Sequence, residues 1–465
     1  MKYLVIVLGF VFLALNSSSN LCAQVLPVNI TEPAIKRNKE LGEQRFKVAL
    51  ETKDKSKITN LDLSWCDLTE LPEWLSECVN LKSLNLSNNQ VNASQNLNLQ
   101  GFDSLKVLNI SNNDLRKVPV FVRNFSSLES INLSGNTLKK LPRWYSDFEN
   151  LKDLNLSKIG AKKGKLRFPK MDSLQRILFQ ENEASKLARR FRRLTNLETI
   201  DLSKNAFSNP PKVLAKMPKL ETLQLSENPV VFDAKGLNKF ENIKNLRLNR
   251  CNLREVPPAV FEFKNLKQLQ LAFNQLSTIP TEISSLRNLE ELMVYRNQLN
   301  ALPLELFELK NLIELDLYYN EIIEIPAEIK KLSNLERLFL SYNKLVFLPE
   351  ELGYLGNLQQ LYVHHNNLTD FPKSMSGLQN LKILHLQENL VYDVPDFVAQ
   401  LKQLRELDIS ANKISQFPMW LTELPDLRLL VLEKNPINRS EENILMYKDL
   451  LETLLNRGVL VRFDQ

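Results

Sequence analysis

A period of 23 residues, kept in frame six times in succession between residues 266 and 403, leaves this chain few ways to fold. LKQLQLAFNQLSTIP, LEELMVYRNQLNALP, LIELDLYYNEIIEIP, LERLFLSYNKLVFLP, LQQLYVHHNNLTDFP and LKILHLQENLVYDVP start at Leu266, Leu289, Leu312, Leu335, Leu358 and Leu381, giving LxxLxLxxNxLxxLP. In xLxLx the leucines alternate with variable residues, so a strand there turns its leucines to one face and its variable residues to the other. A unit this short cannot bury its own apolar face, so successive units must stack. The Asn in the ninth slot breaks the apolar spacing. Its amide suits the backbone groups of the turn after each strand, and Asn274, Asn297, Asn320, Asn343, Asn366 and Asn389 therefore read as a structural ladder.

The repeat runs through the chain seventeen times, starting at Ile58, Leu81, Leu105, Leu128, Leu151, Leu174, Leu197, Leu220 and Ile243, then at the six leucines above, then at Leu404 and Leu427, with only the second repeat one residue longer. The pattern resembles the leucine-rich repeat superfamily in its 23-residue Leu-Pro form, as in bacterial secreted and Scribble-type proteins. The resemblance implies an α/β right-handed solenoid, a horseshoe or arc of about 17 repeats. Parallel strands would line its concave face, with tight turns or short helices outside. At about 4.8 Å per strand the concave arc is on the order of 80 Å long.

The expected organisation is a signal peptide over 1–23, a helical N-terminal cap over 24–57, one solenoid over 58–439 and a helix-strand cap over 440–465. The cap at the end is read from Ser440, the helical spacing of ENILMYKDLLETLL, the stop at Gly458 and the apolar VLVRF. The signal is read from Lys2, the thirteen-residue apolar run from Tyr3 and the polar stretch before Ala23, a run too short to span a bilayer. A lipoprotein signal wants a small residue before Cys22, where this chain has Leu21. With no second long apolar run, the expected mature protein has no transmembrane segment and is secreted, periplasmic or held at the cell surface.

The net charge of +6, with both signs interspersed, suits a solvated surface and no nucleic-acid partner. Cys66 and Cys251 occupy the Asn slot and Cys78 a core-leucine slot, so all three read as buried thiols, with a Cys66 to Cys78 bridge left open.

Two stretches depart from the regular pattern. Between 158 and 193 there are twelve Lys or Arg and three acidic residues. Lys162, Lys163, Lys165, Arg189, Arg190, Arg192 and Arg193 form either a polyanion-binding flank, for an anionic surface, or simply a solvated one. GAKKGKL within it is not a phosphate loop: it is one residue short between the glycines and has Leu166 where Ser or Thr would hold magnesium.

The second stretch is the variable face. In the first five repeats it carries small polar residues such as Asn85, Ser87, Asn109, Ser111, Asn132 and Ser134. From the tenth repeat it carries Phe273, Met293, Tyr295, Arg296, Tyr318, Tyr319, Phe339, Tyr342, Tyr362, His364, His365 and His385, including every histidine of the chain. Rings with Arg and His on a rigid concave surface suit a binding hot spot, because they bury much area at small entropic cost. The alternative is that they only cover one another across strands. The expected function is a non-catalytic recognition scaffold using the concave face of repeats 10–15, with a protein partner first and a glycan second. His364, His385, Asp408 and Glu388 or Glu406 give only a loose metal constellation, and no nucleophile with a paired base appears. No enzyme activity, metal or cofactor is expected.

Overall fold

The computed structural model describes residues 32–94, 99, 101–162, 166, 168–232, 240–416, 418–436 and 441–463. The signal segment 1–23, Lys163, Lys165 and Ser440 lie outside them. Each repeat forms one three-residue strand, from β1 (Asn60–Asp62) through β10 (Gln268–Gln270), β11 (Glu291–Met293), β12 (Glu314–Asp316), β13 (Arg337–Phe339), β14 (Gln360–Tyr362) and β15 (Ile383–His385) to β17 (Leu429–Val431). Each pairs in parallel with the next in chain order, and the register steps by one repeat: Glu291 sits beside Glu314, and Glu314 beside Arg337. With β18 (Leu460–Arg462) the result is a single unclosed sheet of 18 strands. Leu292, Leu315, Leu338, Leu361 and Leu384 at the strand centres are fully buried in one continuous core.

The strands are short because every coil turns at the same place. In all seventeen, the eighth residue of the repeat has φ between 50° and 68°, and in only one is that residue glycine, Gly135. Left-handed backbone costs other residues roughly 1–2 kcal/mol. The neighbouring coil holds them there: Phe273, Arg296, Tyr319, Tyr342 and His365 each donate their backbone N–H to the seventh-slot carbonyl of the next coil, at 2.8 to 3.0 Å. This corrects the strand reading of those five side chains, which lie in the turn at the strand's C-terminal edge.

The ninth-slot asparagines close the turn. Asn320 donates to the Val294 carbonyl of the preceding coil at 3.1 Å and to Leu317 of its own, and accepts the Leu299 N–H. Cys251 keeps part of this role, its thiol reaching the Leu225 carbonyl at 3.4 Å. Cys66 has no coil before it and instead donates to the Gly42 carbonyl of helix α1 (Glu32–Glu51) at 3.2 Å. Cys66, Cys78 and Cys251 are free thiols, and Cys66 is half-buried where full burial was expected.

On the convex side the proline of each Leu-Pro step starts a 3-10 turn, as Pro280 does for Thr281–Ser285. A second asparagine ladder, unread in the sequence, ties these turns together. Asn288, Asn311, Asn334, Asn357 and Asn380 each donate to a carbonyl 24 residues earlier, at 2.8 to 3.1 Å. Its signal is the Asn before the first leucine of many repeats.

The ends of the sheet are covered. Arg45 of α1 donates to the Ser64 carbonyl at 2.8 Å, and a Cβ on Gly42 would stand 2.5 Å from the Trp65 carbonyl oxygen, so α1 lies directly on the first coil. At the other end helix α2 (Glu441–Asn456) buries Tyr447 and Leu454, turns at Gly458 with φ of 79°, and leads into β18. Arg457 fastens this segment by donating to the Leu424 and Pro425 carbonyls.

Candidate binding surface

The third, fifth and seventh slots of each repeat face outward on the concave side, and the eighth-slot turn residues form a row along its edge. Met293, Phe339, Tyr362 and His385 fill fifth slots; Tyr295, Tyr318 and His364 fill seventh slots. The edge row is Arg250, Phe273, Arg296, Tyr319, Tyr342, His365 and Glu388. All of the expected ring residues thus belong to one patch, in two tiers.

A parallel sheet in unbroken register places equal slots beside each other, so side chains from successive coils stack. On the concave tier Phe339 and Tyr362 lie parallel with centroids 4.9 Å apart, and Tyr362 meets His385 edge-on at 4.8 Å. Tyr318 meets Tyr342 at 5.1 Å and joins the tiers. Along the edge Tyr319 stacks on Tyr342 at 4.8 Å, and Tyr342 on His365 at 3.8 Å. The rings therefore do cover one another: most are half-buried, while Tyr319 stays 44% exposed.

The polar groups follow the same geometry. Arg337 pairs with Glu314 at 2.5 Å, His365 with Glu388 at 2.6 Å, and the His364 Nδ1 lies 2.8 Å from the Ser341 hydroxyl. Asp316 accepts the Tyr318 N–H at 3.0 Å, and burial pushes its carboxyl up to about 7, helped by the nearby Glu314 charge. Burial holds the His364 imidazole down, to about 3, with the His385 and His365 charges adding to the effect. Burial raises the Tyr362 phenol to about 12. The Nε2 of His385 and the Oε1 of Gln387 are buried without a hydrogen-bond partner. No group of three His, Cys, Asp or Glu among the described residues is arranged to hold a metal.

In the first repeats the small polar side chains are less idle than their spacing suggested. Asn85, Asn109 and Asn132 accept the N–H of Ser87, Ser111 and Ser134 at 3.0 to 3.1 Å, ending each strand with an Asx turn. On the basic flank, Arg189–Arg193 is a convex 3-10 turn that buries Phe191 and exposes its four arginines, which have no carboxylate within 4.0 Å among the described residues, while Lys162 pairs with Glu183 at 2.7 Å. Lys162 belongs to the fifth coil and Arg189–Arg193 to the sixth, outside the coils from Phe273 to His385 that carry the rings.

A family model described as a leucine-rich repeat region matches residues 337–457, another for the leucine-rich repeat matches 103–158, 241–299 and 287–345, and a third matches 57–78. No curated protein matches the sequence. Among solved structures, a leucine-rich repeat protein of Leptospira interrogans is 29% identical with a TM-score of 0.65, over 90% of this chain and 98% of that one. A chain of the Drosophila Toll and Spatzle complex is 24% identical with a TM-score of 0.63, over 81% of this chain and 54% of that one. The second likeness concerns the fold alone.

Proposed function

The chain belongs to the leucine-rich repeat superfamily, and on that footing we propose that it is a non-catalytic recognition scaffold, exported to the cell envelope or beyond, which binds a protein on the concave face and edge of repeats 10–15. The observation that carries the reading is the two-tier ring cluster from Phe273 to His385. The leucines already complete the core beneath it, so the rings add an apolar surface that the solenoid does not need. Export rests on the N-terminal apolar run, and protein recovered from medium or envelope should begin at Gln24.

The test is affinity capture with a ring variant, Tyr295, Tyr318, Tyr362 and His364 all changed to Ala, beside a control with Ser83, Val107 and Ser130 changed to Ala. The control avoids the Asx-turn asparagines. The ring variant should stay folded, because the leucine core beneath the rings is untouched. Its partner binding should fall sharply, since hot-spot side chains contribute about 2 kcal/mol or more each. Equal loss in the control would move the site elsewhere. Capture of glycans with the same ring dependence would replace the protein partner by a sugar.

A further inference from the structure

Arg250 was not among the residues singled out by sequence, yet it starts the edge row. Its guanidinium carbon lies 3.8 Å from the centre of the Phe273 ring, and that of Arg296 lies 5.1 Å from the same ring and 4.8 Å from Tyr319. Both arginines are exposed, and with Asn252, Phe273 and Tyr319 they line an open concavity of about 410 Å³. A stacked guanidinium uses its flat face and leaves its N–H edge free to donate two parallel hydrogen bonds. Other cations on this part of the arc are held by carboxylates of the neighbouring coil: Arg337 by Glu314, Lys344 by Glu321, Lys267 by Glu290. Among the described residues neither Arg250 nor Arg296 has a carboxylate within 4.0 Å.

We propose that Arg250 and Arg296, with Phe273 between them, form a clamp for an acidic side chain of an extended peptide segment lying along the edge row. The row spans six coil spacings from Arg250 to Glu388, about 29 Å, the length of about nine extended residues. Its two ends differ in charge. A long polyanion that followed the row from the clamp would run onto the carboxylate of Glu388, whereas a peptide can present one carboxylate, then apolar residues over Tyr319 and Tyr342. A basic residue about seven positions from the acidic one would then meet Glu388. The clamp rests on the protein-binding reading above only in taking its anion from a polypeptide.

The experiment is selection of a displayed library of random 12-residue peptides on the full chain. Enriched peptides should carry Asp or Glu with Lys or Arg about seven positions away. Their binding should weaken about tenfold or more in Arg250→Gln/Arg296→Gln and hold in Arg254→Gln, an exposed arginine of the same coil as Arg250 that does not line the concavity, with unchanged far-ultraviolet spectra. Arg250→Lys/Arg296→Lys keeps the charge without the planar stack and should weaken binding too; it also serves if the Gln pair fails to fold. Peptides lacking acidic residues, or as weakened by Arg254→Gln as by the pair, overturn the clamp. Peptides lost in the ring variant but indifferent to the arginines overturn it and leave the concave-face reading standing. Peptides indifferent to both, or an empty selection, overturn both. Arginine-dependent capture of heparin oligosaccharides in place of peptides overturns the choice of a polypeptide carboxylate.

Discussion

Asp316 and His364 sit in the same ring cluster and titrate in opposite senses. Asp316 has its folded value raised to about 7 against an unfolded one near about 4, so stability is lost as pH climbs between those values. His364 has its folded value lowered to about 3 against about 6.5 unfolded, so stability is lost as pH falls between them. Asp316→Asn keeps an oxygen for the Tyr318 N–H and should gain on the parent protein as pH rises toward about 7. His364→Gln should instead flatten the loss on acidification. Urea midpoints across pH 4 to 8 check both, and parallel curves for parent and variants would refute the burial argument. Neither shift was legible in the sequence, because both come from packing between coils 23 residues apart. The same holds for the eighth slot: Phe273, Tyr319 and His365 give no sign of left-handed backbone, and only Gly135, Asn88 and Asn112 in the equivalent slot hint at it. What spacing did reveal was which residues recur side by side, and the stacked pairs follow from that.

Each coil is closed by hydrogen bonds to its neighbours more than by its own. The ninth-slot ladder was legible because Asn interrupts an apolar pattern. The convex ladder is just as regular but falls among polar residues, where another Asn attracts no notice. Close approach on the convex side is invisible without coordinates. A Cβ on Gly353 would lie 2.1 Å from the Ser374 carbonyl oxygen, backbone that no rotamer change can move, whereas Gly356 has open space around it. Gly353→Ala should therefore cost about 1–3 kcal/mol, as overpacking does. Gly356→Ala, which has neither the clash nor a positive φ, should be neutral or gain up to about 1 kcal/mol. Denaturation midpoints separate the two, and equal effects would mean that the convex turns yield.

For the whole arc, stability is a sum over coils and their interfaces. Removing residues 128–150 joins two coils in register and should leave a folded protein that still binds, shorter by about 4.8 Å in X-ray scattering. Removing 312–334 should fold as well but lose binding, since Tyr318 and Tyr319 go with it. Unfolding of the first variant would refute the nearest-neighbour picture. The fold was legible at this scale because one rule is repeated seventeen times; the charge asymmetry of the edge row was not, since Arg250 stands in a coil otherwise free of exposed rings. The direction of the sheet has a mechanical consequence. All eighteen strands lie across the long axis, so the backbone hydrogen bonds between them run along it, one coil after another. Tension between the two ends would load those bonds in series, and the molecule would peel coil by coil from its ends, paying out chain in small equal lengths instead of resisting until it breaks as a block.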